Sequence, residues 1–104
     1  MNKAALPTED LDPEYLSELA ATIQVGSRCK LESGARGEVG YVGKIMDLGN
    51  GYFVGVKLDE PFGNSNGVVN GVKYFEGMDK YATFVRPNVL EIGDFPVLDI
   101  DDEI

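Results

Sequence analysis

The sequence contains no histidine and no tryptophan, and a single cysteine, Cys29. The missing histidine excludes Ser-His-Asp and Cys-His nucleophilic catalysis and zinc sites built from cysteine and histidine. One cysteine excludes an intramolecular disulfide. No run of about 18 apolar residues is present, so no helix of this chain is expected to span a bilayer. The opening residues, MNKAALPTEDLD, turn acidic where a secretion signal needs an apolar stretch. With a lone cysteine, that start predicts a reducing, cytoplasmic setting. The 104 residues leave room for one small domain and not for two independent cores.

The chain is also short of positive charge, with 9 lysines and arginines against 18 acids and a net charge of -9. The deficit is local. Residues 1–24 carry five acids and one base, and residues 91–104 carry six acids and no base. Residues 25–90 hold the other eight bases against seven acids. Such overall acidity argues against binding a nucleic-acid backbone. It leaves the balanced middle able to bind an acidic peptide. Glycine follows the same division, with twelve of 13 glycines in residues 25–90. That density predicts tight turns, bulges and close backbone approaches in a small β domain.

Residues 13–23, PEYLSELAATI, predict one short helix. Asp12 suits the N-cap and Pro13 the first helical position. Leu16, Leu19, Ala20 and Ile23 form one apolar stripe at i, i+3, i+4 and i+7. Eleven residues are marginal as an isolated helix, so this segment is expected to dock. Strands are predicted at 28–31, 37–42, 52–58, 68–69, 72–75, 84–85 and 89–92. Asn70-Gly71 is the dipeptide favoured in a two-residue type I′ hairpin. Arg86-Pro87 marks an edge or a bend. The expected fold is mainly β, a small antiparallel barrel-like domain preceded by a short helix. Three segments are expected: an acidic N-terminal stretch (1–24), the β domain (25–92) and an acidic tail (93–104).

Few residues suggest chemistry. The acids of the middle are scattered among bases and read as solvated surface charge. Cys29 reads as a small buried side chain. The loop Gly63-Asn64-Ser65-Asn66-Gly67 lacks the Lys-Ser/Thr ending of a P-loop, and no helix pattern follows it. No enzyme, cofactor or metal is expected. The loop reads instead as a turn whose polar groups meet a ligand, with aromatics beside it. Eight of the ten aromatics lie in residues 25–90. Phe62, between Pro61 and the loop, is the one expected to be exposed.

The ordered combination of Gly51-Tyr52-Phe53-Val54-Gly55-Val56-Lys57-Leu58-Asp59-Glu60-Pro61-Phe62-Gly63, Asn66-Gly67, Asn70-Gly71, Lys73-Tyr74-Phe75 and Phe84-Val85-Arg86-Pro87 resembles the CAP-Gly family over residues 25–92. The resemblance implies a glycine-rich antiparallel β domain that binds acidic C-termini, often ending in Glu-Glu-Tyr or Glu-Glu-Phe. The opening Val25-Gly26-Ser27-Arg28-Cys29, the stretch Gly93-Asp94-Phe95-Pro96 and the ending Asp102-Glu103-Ile104 resemble the cofactor B family of tubulin-folding proteins. That narrower resemblance implies α-tubulin and tubulin-folding cofactor E as partners, with a role in assembly or disassembly of the tubulin heterodimer. Such proteins also carry an N-terminal ubiquitin-like domain, so this sequence is expected to correspond to their C-terminal piece.

The family loop reads Gly-Lys-Asn-Asp-Gly, and here it reads Gly-Asn-Ser-Asn-Gly. The change removes a cation at Asn64 and an anion at Asn66. One charge-assisted hydrogen bond is worth about 1.5–3 kcal/mol, so carboxylate binding is expected to weaken about tenfold or more. Phe53 stands where tryptophan is common. The expected peptide site comprises Phe53 and Phe62 as apolar wall and Gly63, Asn64, Ser65, Asn66 and Gly67 as the loop. Lys73 and Arg86 would supply positive potential. The tail residues Asp102, Glu103 and Ile104 share the outline of such a ligand. They are expected to engage cofactor E, the same chain's groove, or a neighbouring copy's. The rival reading is a cytoskeletal linker of the microtubule plus-end type, whose usual coiled-coil or Ser-rich basic flanks are absent.

Overall fold

Tyr52–Leu58 (β3) organises the fold, because its alternation sorts β-branched residues to one side. Val54, Val56 and Leu58 face a core shared with Ile23, Cys29 and Val39. Phe53, Gly55 and Lys57 fall on the opposite, outer face. Burying a valine or leucine side chain contributes about 1.5–3 kcal/mol, which makes this cluster a main source of stability. The structure, a computed structural model, describes residues 12–97. The tail residues Asp102, Glu103 and Ile104 lie outside the described residues.

Around β3 stand Arg28–Leu31 (β1), Arg36–Lys44 (β2), Ala82–Val85 (β6) and Leu90–Ile92 (β7), in the order β6-β3-β2-β1-β7. All pairings are antiparallel. The fold is thus mainly antiparallel β, as expected, with β6 and β7 as open edges rather than a closed barrel. The register of β2 on β3 slips between Val39 and Tyr41, which makes Gly40 a bulge. Val68–Val69 (β4) and Val72–Lys73 (β5) form a separate hairpin. Asn70 at φ 50° and Gly71 at φ 86° close it, the pair of positive φ values that a type I′ turn requires. The strand expected to run on through Tyr74 and Phe75 ends at Lys73 instead, and Phe75 is buried.

The expected helix over 13–23 is corrected to a single turn, Ser17–Ala20 (α1). Leu16 takes φ 66° and interrupts it from the N-terminal side. Asp12 caps no helix; its Oδ1 accepts the Glu14 N–H at 2.8 Å in a local turn. The competing interaction is tertiary. The Tyr15 carbonyl accepts the Tyr52 N–H at 3.0 Å, and the Tyr15 ring lies beneath Arg86. Docking occurs as expected, through buried Ala20 and Ile23.

Phe95, just beyond β7, docks too. Arg28 binds both carboxylate oxygens of Asp59, at 2.5 and 3.1 Å, and its Nε donates to the Phe95 carbonyl at 2.8 Å. Lys30 and Arg36 flank the Phe95 ring, each 5.5 Å from its centroid. The carboxylate of Asp59 raises the Arg28 pKa above its ordinary value. Among the described residues no helix is long and apolar enough to cross a membrane.

Candidate functional site

The outer face of the sheet carries an aromatic cluster laid over glycine. Tyr41 and Phe84 are the cross-strand neighbours of Gly55 on either side. With no side chain at Gly55, the Phe75 and Phe84 rings settle directly on the β3 backbone; a Cβ there would collide with Phe75. Gly40 opens the same space on β2, where a Cβ would meet the Phe75 ring at 2.8 Å. The rings then pack edge to face: Phe75 with Phe84 at 5.4 Å, Tyr74 with Phe84 at 6.0 Å, and Tyr41 with Tyr74 at 4.9 Å between centroids. Phe75 is buried, while Tyr41, Tyr74 and Phe84 are half-buried and keep surface open to solvent. The Tyr41 hydroxyl donates to the Lys44 carbonyl at 2.8 Å, and burial pushes its pKa up.

Loop 63–67 borders this cluster through β6. The Ser65 and Ala82 backbones exchange two hydrogen bonds, at 3.0 and 3.1 Å, in an isolated antiparallel bridge. Gly67 takes φ 93°, and a Cβ there would collide with the Phe75 carbonyl. A Cβ at Gly63 would collide with the Ala82 carbonyl. Both outer glycines are therefore required by close approach. The Ser65 hydroxyl accepts the Gly67 N–H at 3.1 Å, and Asn66 Oδ1 accepts the Val68 N–H at 3.2 Å. Each oxygen thus takes one bond inside the loop. The Ser65 hydroxyl hydrogen and the Asn66 amide N–H groups remain as donors, which suits a carboxylate. Asn64 is exposed, with Oδ1 3.5 Å from the Thr83 hydroxyl.

Residues 61–90 hold three bases, Lys73, Lys80 and Arg86, against two acids, Glu76 and Asp79. Lys73 pairs with Glu76 at 2.8 Å, both exposed, which holds the Glu76 pKa below the usual carboxylate range. Arg86 sits differently. Its guanidinium lies 3.9 Å from the Phe53 centroid and 5.3 Å from that of Tyr15, and Nη1 donates to the Tyr52 carbonyl. Nη2 is buried and has no hydrogen-bond partner among the described residues. Burial lowers the Arg86 pKa from its ordinary value.

The residues expected from sequence are thus brought together in part. Gly63, Asn64, Ser65, Asn66 and Gly67 form one loop against β6, and Lys73 stands on the adjoining hairpin. Phe53 is 7% exposed beneath Arg86 and presents no open wall. Phe62 is exposed as expected, at 68%, but it lines a separate cavity of about 530 Å³ with Arg36, Asp59, Glu60 and Val97. Tyr41, Tyr74 and Phe84, with Gly40 and Gly55 beneath them, were not singled out by sequence reasoning. Their signal was the alternation of β3, which places Gly55 on the face opposite Val54 and Val56.

The fold has known relatives. Residues 25–90 match the family model of the CAP-Gly domain. Tubulin-specific chaperone B of Caenorhabditis elegans is 46% identical over 103 residues, covering 95% of this chain and 44% of that protein. Tubulin-folding cofactor B of Bos taurus is 48% identical over 81 residues, covering 74% of this chain and 33% of that protein. The chain spans less than half the length of these curated relatives. Among solved structures, the CAP-Gly domain in the human kinesin-like protein KIF13B superposes with a TM-score of 0.66 at 26% identity, covering 91% of this chain and 90% of that one.

Proposed function

The chain belongs to the CAP-Gly family, and on that footing we propose that it is a peptide-binding module of the tubulin-folding pathway. Its ligands are acidic C-termini, those of α-tubulin and of tubulin-folding cofactor E. It acts in the cytoplasm, in association with the cytoskeleton, on tubulin folding and heterodimer assembly or disassembly. The observation that carries the reading is the outer face itself: open aromatic surface beside a donor-bearing loop, with three bases against two acids in residues 61–90. An extended acidic tail would meet favourable potential there, with its last side chain on Tyr41, Tyr74 and Phe84 and its carboxylates toward loop 63–67.

Lys73 and Arg86 have unequal parts in this reading. Lys73 is exposed and is freed by breaking one weak surface pair. Arg86 is held between two rings and acts by supporting Phe53 and lending long-range potential. The mechanism is capture alone, without covalent chemistry. The chain's own tail, Asp102-Glu103-Ile104, carries the same chemistry as such a ligand. We assign it first to cofactor E, then to a groove of its own kind through high effective concentration.

Calorimetric titration tests the proposal with peptides that share an acidic body and end in Tyr, Phe, Ile or Ala. Binding of the Tyr and Phe peptides, weaker binding of Ile and loss with Ala support it. Equal affinity for all four contradicts the aromatic subsite. A pull-down that recovers plus-end proteins without α-tubulin or cofactor E favours the cytoskeletal-linker reading.

A further inference from the structure

The β6 edge of the sheet carries outward backbone hydrogen-bonding groups. In the β3–β6 ladder, Lys57 lies opposite Ala82, Val56 opposite Thr83, Gly55 opposite Phe84 and Val54 opposite Val85. The Leu58 N–H donates to the Tyr81 carbonyl at 2.7 Å, which fixes the parity of the ladder. Thr83 and Val85 therefore turn their N–H and C=O groups toward β3, and Ala82 and Phe84 turn theirs outward. For Ala82 this is observed directly, since both of its backbone groups bond Ser65. The added ladder stops there. Among the described residues no backbone group takes the outward N–H or C=O of Phe84.

We infer that an acidic peptide binds as an added β-strand, pairing its backbone with Phe84 on the outer edge of β6, in line with the Ser65–Ala82 bridge. This rests on the peptide-binding reading above and specifies how the ligand backbone is registered. Three observations fix the occupant as extended and acidic. Ser65 shows that the outward backbone groups two residues along this edge do pair with another segment of chain. Phe84 shares the outer face with Tyr41, so every second side chain of an added strand falls beside the aromatic cluster. The flanking residues 61–90 carry Lys73, Lys80 and Arg86 against Glu76 and Asp79, a net positive charge. An open strand edge is otherwise an aggregation liability, and an acidic ligand brings the charge that keeps the paired edge soluble.

The test uses the full chain and a synthetic peptide ending in Glu-Glu-Tyr, prepared unmodified and with each backbone amide N-methylated in turn. N-methylation removes one donor and leaves every side chain in place. Strand pairing predicts alternation: methylation at the amide that meets the Phe84 carbonyl weakens binding tenfold or more, and its immediate neighbours are tolerated. It also predicts that hydrogen exchange of the Phe84 amide slows at least tenfold on saturation with the unmodified peptide. If the unmodified peptide binds, every methylated form matches it within twofold and Phe84 exchange is unchanged, the strand inference is overturned and side-chain capture stands. If the unmodified peptide does not bind, both fall.

Discussion

Gly55 shows how much one missing side chain decides. It leaves the β3 backbone bare, and Phe75 and Phe84 lie on it. Gly55→Ala forces those rings aside, and overpacking of this kind costs about 1–3 kcal/mol. Denaturant unfolding should report that loss, together with weaker peptide binding; an unchanged midpoint would show that the rings have room. Asn64 is the complementary case, an exposed position whose family counterpart is a lysine. Asn64→Lys should raise affinity for an acidic C-terminal peptide about tenfold, the lower end of one charge-assisted hydrogen bond. The gain should shrink with added salt, since exposed charges are screened over about 8–10 Å. Equal titration curves for the two proteins at low salt would remove Asn64 from the site.

Among the elements, the hairpin was the most legible and the N-terminal segment the least. Asn70-Gly71 dictates its own turn, because the positive φ values seen there suit few other residue pairs. Gly71→Val should destabilise the protein by more than about 1 kcal/mol, because a β-branched residue resists that region although space around it is open. An unchanged melting curve would remove the turn's importance. The helix over 13–23 had the right stripe and failed for a reason no local pattern carries. Tyr15 gives its carbonyl to Tyr52 and its ring to Arg86, contacts made with residues far along the chain. Ala20 and Ile23 still reach the core, so the stripe predicted burial better than it predicted helix. The candidate site divides the same way. Loop 63–67 was visible as a motif. The aromatic surface was not, because Tyr41, Tyr74 and Phe84 meet only after three separate strands and a hairpin are placed.

For the whole molecule, stability should bend at alkaline pH. Cys29 is fully buried, and desolvation raises its pKa from an ordinary 9.0 to about 11. The folded state thus holds the thiol proton more tightly than the unfolded state. Its contribution is complete below pH 9 and is lost as pH rises toward 11. Unfolding free energy should fall more steeply over that window in the native protein than in Cys29→Ala; parallel curves would contradict the buried thiol. Residues on either flank of the sheet tie into the same body, Tyr15 beneath Arg86 and Phe95 between Lys30 and Arg36. The function proposed is the binding of an acidic C-terminus by the aromatic face. Amide chemical-shift mapping of the full chain with a peptide ending in Glu-Glu-Tyr tests it most directly. Shifts centred on Tyr41, Gly55, Ser65, Asn66, Tyr74 and Phe84 are expected. Shifts confined to the Phe62 and Arg36 cavity, or none at saturating peptide, would contradict it.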